Sequence, residues 1–178
     1  MMRAVIDTNV LLVANGRHTD VSTECVTKCV QYLQDMEKAG VTVIDDDYQI
    51  LSEYQRKTSP NQPKGVGDVF LKWLLRQSGN QERVEQVSLT KLAEDKFAEF
   101  PDVVLQQDDV DAPDRKFVAV ANAHPDKPPV WQAADCKWLD WWTALQDNGV
   151  RVEFLCLDDA CRFYLNKFPN KPLPVLPD

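Results

Sequence analysis

Four acidic side chains lie at points of the sequence from which folding could bring them together. Asp7 follows an apolar run that predicts a strand buried on both faces, and Asp135 follows a second predicted strand at 128–134. Asp114 begins a segment rich in small residues, and Glu53 lies within an apolar stretch. The carboxyl ends of parallel strands meet at one edge of a sheet, where α/β proteins bind ligands. We therefore expect these four carboxylates to converge in one cleft at that edge.

A cluster of this kind would need positive charge nearby. Two carboxylates about 5 Å apart repel by roughly 3 kcal/mol at an effective dielectric constant near 20, so that four of them require cations or raised pKa values. Oxygen ligands are the ones that Mg²⁺ and Mn²⁺ prefer, and the sequence therefore predicts an Mg²⁺ or Mn²⁺ site. Asp109 and Asp111 are alternatives to Asp114, which is favoured by its place at the start of a predicted helix.

A second interpretation of Asp7 needs no metal. An aspartate between a strand and a helix can accept hydrogen bonds from the first turn of that helix, with Thr8 and Asn9 as ordinary turn residues. Both interpretations remain open when this stretch is considered alone.

The order of the predicted elements indicates an α/β fold. Segments 4–6, 41–44, 128–134 and 150–157 predict strands, and amphipathic segments between most of them predict helices. Residues 83–89 alternate weakly and fit either a strand or an extended connection. This alternation is typical of a mainly parallel sheet. Right-handed crossovers allow the first and fourth strands to be neighbours, which would place Asp7 beside Asp135. A short helix is also predicted near residues 92–100.

Length and composition favour one domain, 1–178, with a helical insertion or subdomain around 55–105 and an extended tail at 169–178. The net charge of −8 argues against a general nucleic-acid coat but is compatible with an acidic metal site beside a local basic track. No apolar run approaches the roughly 20 residues that cross a bilayer, so no membrane association is expected. The five cysteines contain no C-x-x-C pair, and we expect them to fill the core in a reducing, cytoplasmic compartment.

The ordered acidic segments resemble the PIN domain, the fold of the PilT N-terminus family, which is related to the 5′-nuclease fold. The segments that carry the resemblance are V-I-D-T-N-V-L-L at 5–12, I-L-S-E-Y at 50–54, D-R-K-F-V-A-V-A at 114–121 and W-Q-A-A-D at 131–135. Many family members have Thr or Ser where Ala133 stands and an acid where Lys137 stands. The resemblance implies a three-layer sandwich around a mainly parallel sheet.

The resemblance also implies that the protein is a metal-dependent endoribonuclease that hydrolyses single-stranded or structured RNA. It makes Asp7, Asp114 and Asp135 the metal ligands, and Glu53 a residue that binds the metal through water or orients the attacking water. Thr8 and Asn9 would support the loop or hydrogen-bond the carboxylates. Three rival interpretations are a catalytically degenerate module that binds RNA or a protein partner, the toxin of a toxin–antitoxin pair, and a DNA nuclease. A homodimer is also open.

Five basic residues near the predicted site could contact RNA phosphates. A solvated surface explains each of them equally well. They are Arg56, Lys57, Lys64, Arg115 and Lys116.

Overall fold

A parallel five-stranded sheet forms the centre of the fold, in the strand order β3-β2-β1-β6-β7. The computed structural model describes residues 2–101 and 107–178. The sheet strands are β1 (Met2–Ile6), β2 (Gly40–Asp45), β3 (Val84–Val87), β6 (Val130–Gln132) and β7 (Val152–Phe154). Every neighbouring pair among them is parallel. The predicted α/β fold, with helices flanking a mainly parallel sheet in three layers, is therefore confirmed.

Helices flank this sheet and connect its strands. They are α1 (Thr8–Ala14), α2 (Thr23–Ala39), α3 (Gln49–Lys57), α4 (Val66–Arg76), α5 (Arg115–Ala123), α6 (Trp138–Asp147) and α7 (Leu157–Lys167). α1, α2 and α4 pack against one another, while α5 packs on β1 and β2. Small side chains at Ala119 and Ala121 suit that close packing and are fully buried. Among the described residues, no helix combines the length and apolar character that a membrane span requires.

The first strand lies in the middle of the sheet, as the predicted neighbours require. Ala4, Val5 and Ile6 have no exposed surface, because β2 and β6 flank β1 and helices cover both faces. Burial on both faces explains the continuous apolar run. The register pairs Ile6 with Trp131, so that the residues after β1 and after β6 emerge side by side.

The described part of the segment 55–105, residues 55–101, is only partly helical. It contributes α4 to the helical layer and β3 to the edge of the central sheet. Residues 91–97 form an antiparallel hairpin, β4 (Lys91–Ala93) and β5 (Lys96–Phe97), in which Asp95 adopts a positive φ of 54°. The predicted helix near 92–100 is therefore wrong. Leu92 and Phe97 on the hairpin, with Phe100 just beyond it, produce a spacing that resembles one helical face.

The described part of the chain contains one disulfide, between Cys25 and Cys156. It joins α2 to the residue that precedes α7, across a sequence separation of 131. The expectation that all the cysteines are unpaired core residues is therefore wrong for these two, although both are buried. The cause is tertiary: α2 and the end of β7 meet in the core, and spacing along the chain cannot show that meeting.

Residues 169–178 form no helix or strand. This tail is attached to α6, because the indole nitrogen of Trp142 donates to the carbonyl of Val175 at 2.9 Å. Trp138, Trp141 and Trp142 are all buried. Core packing, rather than an exposed stacking surface, thus explains the tryptophan spacing of α6.

Candidate active site

Asp7 occupies the junction between β1 and α1. Its amide donates to the carbonyl of Trp131 at 2.8 Å, which ties the end of β1 to β6. One carboxylate oxygen, Oδ1, accepts from the amide of Asn9 at 3.0 Å, so Asp7 does cap α1. The other oxygen, Oδ2, is buried without a hydrogen-bond partner. Helix capping accounts for half of this carboxylate and leaves the other half unexplained.

Burial and neighbouring charge hold Asp7 in an unusual protonation state. The side chain is only 5% exposed. Burial, together with the charges of Asp135 and Glu53, raises the pKa of Asp7 from its ordinary 3.8 to about 7, against the lowering effects of the Asn9 amide and the Lys116 charge. An unpaired buried carboxylate costs free energy, which a proton or a cation would remove.

The pKa of Asp114 is raised more than that of Asp7. It lies at the end of a 3₁₀ turn, Ala112–Asp114, directly before α5, and its side chain makes no capping hydrogen bond. Burial is the largest cause of a raised pKa at Asp114, and the negative charges of Asp7, Asp135, Asp111 and Glu53 add to it in that order. Together they raise this pKa from its ordinary 3.8 to about 9. All four acids predicted from the sequence therefore act on one another electrostatically.

Asp135 is positioned by a hydrogen-bonded chain that begins at Asn9. The Asn9 side-chain oxygen accepts from the amide of Ala133 at 2.8 Å, and its side-chain nitrogen donates to Gln132 Oε1 at 3.4 Å. That same Gln132 oxygen accepts from the amide of Asp135 at 2.8 Å. Burial raises the pKa of Asp135, and the backbone and charge of Lys137 oppose that rise. Asn9 thus links the α1 start to the loop that carries Asp135.

Glu53 is held on both sides. The hydroxyl of Thr8 donates to Glu53 Oε2, and Lys116 Nζ donates to Glu53 Oε1 at 2.9 Å. Lys116 Nζ also donates to the carbonyl of Pro113 at 2.5 Å. The α3 helix that carries Glu53 is fixed to the sheet by a hydrogen bond from the Tyr54 hydroxyl to the carbonyl of Ile6. Thr8 and Lys116 therefore fix the Glu53 carboxylate inside the site.

Lys116, predicted as a possible RNA contact, lies inside the site. Its side chain is 8% exposed and is committed to an internal ion pair with Glu53. Arg115 is also largely enclosed, since its guanidinium donates to the carbonyls of Val110 and Asp95. Glu53, the partner of Lys116, is 63 residues away in the sequence, which a local charge pattern does not reveal.

The other three predicted phosphate contacts are exposed. Arg56, Lys57 and Lys64 lie at the end of α3 and in the loop that follows it. Arg56 and Lys57 occupy the last turn of the helix that carries Glu53. Their role in RNA binding stays a prediction.

Two residues that the sequence analysis gave no role contribute to this site. Gln132 is completely buried, and its side-chain nitrogen has no hydrogen-bond partner. Lys137 forms an ion pair with Asp111. The sequence did contain a signal for Gln132, because it is a glutamine in an otherwise apolar strand. The ion pair of Lys137 could be predicted only by knowing which loop faces α6.

The acidic side chains interact with one another, but their oxygens are not close enough to form a compact ligand group. Within residues 2–101 and 107–178, no three carboxylates place oxygens within 4.8 Å of one another, and the one ligand group that meets this spacing consists of Cys25, Cys29 and Cys156. The residues nevertheless fit a divalent cation in kind. Asp7 offers a buried oxygen with no partner, and Asp114 and Asp135 offer carboxylates whose ionised forms need positive charge.

A cleft of about 310 Å³ opens beside Asp135. Its walls include Asn9, His18 and Phe163, and the two rings stack with centroids 5.3 Å apart and an interplanar angle of 18°. Arg162 lies over the Phe163 ring, 4.6 Å from its centroid. The cleft therefore combines an aromatic surface with an acidic end.

No family model matches this chain, and no curated protein or solved structure is significantly similar to it. The PIN-domain resemblance consequently rests on the four sequence segments alone. The geometry of the site must carry any functional argument.

Proposed function

We propose that this protein is a metal-dependent nuclease that hydrolyses RNA, with Asp7, Asp114 and Asp135 as the residues that hold Mg²⁺ or Mn²⁺. The observation that carries the proposal is the buried, unpartnered Oδ2 of Asp7. It lies at the carboxyl end of the central strand, and both Asp135 and Asp114 interact with Asp7 electrostatically. A cation would provide the positive charge that these carboxylates lack.

In this function, water adds across a P–O bond and leaves a phosphate monoester and a hydroxyl group. A bound divalent cation supplies a lowered pKa for the attacking water and neutralises charge on the phosphate. Asp7, Asp114 and Asp135 hold the cation. Glu53, fixed by Thr8 and Lys116, is placed to orient water or accept its proton.

RNA as the substrate class has two sources of support. The PIN-domain resemblance implies it, and the cleft beside Asp135 offers stacked rings of the kind on which unpaired bases pack. The exposed Arg56, Lys57 and Lys64 provide a local basic track near Glu53, despite the net charge of −8.

The test is cleavage of labelled single-stranded RNA and DNA of one sequence, with Mn²⁺ and with chelator. We expect RNA to be cut only with the metal. Asp7→Asn should abolish cleavage, whereas Asp45→Asn should retain it. Asp45 is the matched control because it also ends a buried strand, but both of its oxygens accept backbone hydrogen bonds, from Gln49 and Ile50. Equal cleavage by Asp7→Asn and the unaltered protein would refute the proposed site.

A second candidate function is RNA or protein binding without cleavage. The Glu53–Lys116 ion pair favours it, because an internal ammonium already neutralises one of the four acids. In the same assay this candidate predicts bound, intact RNA under every metal condition. Preferential cutting of the DNA strand would instead favour a DNA nuclease.

A further inference from the structure

Three buried cysteines meet where α2 approaches the start of α7. Cys25 and Cys29 are one helical turn apart on α2, and Cys156 directly precedes α7. Cys25 and Cys156 form the disulfide, while the thiol sulfur of Cys29 lies 4.0 Å from that of Cys156. All three sulfur atoms lie within 4.8 Å of one another. This group has no part in the acidic site.

The sulfur spacing resembles that of a metal–thiolate centre. Zinc–sulfur bonds of about 2.3 Å in a tetrahedron place neighbouring thiolates about 3.8 Å apart. The Cys29–Cys156 separation of 4.0 Å is already close to this value. Once the disulfide is broken, the Cys25 and Cys156 sulfurs have to separate, while the Cys25 and Cys29 sulfurs already lie within 4.8 Å of each other. Rotation of short side chains can provide that movement, since the helices already present all three side chains to one point.

A small cavity adjoins the cysteines. It measures about 20 Å³, enough for one water-sized group, and its lining includes Ser22, Cys25, Cys156 and Asp159. Asp159 is buried, and its carboxylate accepts from the amide and the hydroxyl of Ser22 at 2.6 and 2.9 Å. Arg162 also forms an ion pair with Asp159 at 3.4 Å. The cavity lining contains three acidic side chains and one lysine, Glu24, Asp158, Asp159 and Lys28.

We infer that reduction of the Cys25–Cys156 disulfide converts Cys25, Cys29 and Cys156 into a three-thiolate site for a thiophilic divalent cation, Zn²⁺. Reduction by a small thiol takes two RSH molecules, yields one RSSR and leaves both cysteines as thiols. Binding of Zn²⁺ then releases three protons to solvent. A water molecule in the adjoining cavity completes the four ligands.

A direct exchange between Cys29 and the disulfide is the competing use of these residues. Burial raises the pKa of the Cys29 thiol to about 12, and the Asp159 charge contributes to the rise. The thiolate, not the thiol, attacks disulfides, so exchange is disfavoured without a cation. A bound Zn²⁺ stabilises the thiolates directly. The cation would then link α2 to α7 under reducing conditions, as the disulfide links them otherwise.

The test uses the full chain, oxidised or reduced with a phosphine, and Co²⁺ as a spectroscopic substitute for Zn²⁺. We expect the reduced protein to bind one equivalent with thiolate-to-cobalt charge-transfer absorption, which Zn²⁺ then displaces. The oxidised protein should show no such absorption. This comparison needs no substitution, so it remains decisive even where a variant fails to fold. Absence of the absorption in the reduced protein would overturn the inference.

Variants identify the ligands. Cys29→Ser retains the disulfide partners but should weaken Co²⁺ binding by more than ~100-fold, which exceeds the usual effect of losing an outer-shell partner. Cys161→Ser is the matched control, since Cys161 is a free cysteine outside the group, and it should bind as the unaltered protein does. Asp7→Asn should also bind normally, which separates this site from the acidic one. Undiminished absorption in Cys29→Ser would contradict the three-thiolate assignment.

Discussion

The substitution Asp7→Asn tests whether the acidic site stores electrostatic strain. Its effect can be worked from the pKa of Asp7, which rises from 3.8 to about 7 in the folded protein. One pH unit corresponds to about 1.4 kcal/mol, so the ionised carboxylate lowers the free energy of unfolding by about 4 kcal/mol at pH values above 7. Because Asn preserves the volume and can still cap α1, we expect Asp7→Asn to stabilise the metal-free protein by about 2–4 kcal/mol at pH 8.

The stability of the metal-free protein should fall as the pH rises. A carboxyl group whose pKa is raised on folding gives its full contribution to stability below pH 3.8, and that contribution is lost as the pH rises through about 7. The metal-free protein should therefore lose stability across this window, and Asp7→Asn should show a flatter profile. The burial of Asp114 and its still higher pKa extend the loss towards pH 9 in both proteins.

The assay is urea unfolding with chelator and with Mn²⁺, at several pH values between 4 and 9. Mn²⁺ at about 100 times its Kd should stabilise the unaltered protein by about 2.7 kcal/mol and the variant much less. Asp45→Asn is the control and should be destabilised by about 1–3 kcal/mol, because one of its two backbone hydrogen bonds loses its acceptor. A lower stability of Asp7→Asn in chelator, or an equal metal effect on both proteins, would refute the reasoning.

Three further predictions follow from the lysines and the exposed basic residues. Lys116→Ala should lower the free energy of unfolding by about 3–5 kcal/mol, because it leaves Glu53 buried without its cation; chemical unfolding measures this, and a loss below about 1 kcal/mol would contradict the ion pair. Lys137→Asp should tighten Mn²⁺ binding in calorimetry by adding a carboxylate near Asp135, and weaker binding would argue against an acidic metal site. Arg56→Ala with Lys57→Ala should weaken RNA binding and flatten its salt dependence, whereas an unchanged slope would show that these residues are only surface.

The centre of the sheet could be predicted because β2 and the second half of β1 carry the signal of complete burial. The run before Asp7 is apolar since β2 and β6 flank β1 and helices cover both faces, and this environment leaves a continuous pattern in the sequence. The hairpin at 91–97 left no such pattern, since β4 is exposed along its length. Its apolar residues were consequently assigned to a helix.

The site was predictable where a residue follows a strand. Asp7 and Asp135 could be placed together because the ends of neighbouring parallel strands must meet. The partner of Glu53 could not be predicted, because Lys116 is 63 residues away and appears in the sequence as one of several surface charges. The Cys25–Cys156 disulfide was missed for the same reason. Contacts between distant segments depend on helix packing, which local spacing does not encode.

The central claim is that the acidic cluster binds a divalent cation, and anomalous scattering from Mn²⁺-soaked crystals tests it most directly. We predict a manganese peak in contact with Asp7 Oδ2 and with a carboxylate of Asp114 or Asp135. The same crystals of Asp7→Asn should lose that peak. At saturating Mn²⁺, an acidic cluster without manganese in the unaltered protein, with Asp7 Oδ2 still unpartnered, would contradict the claim.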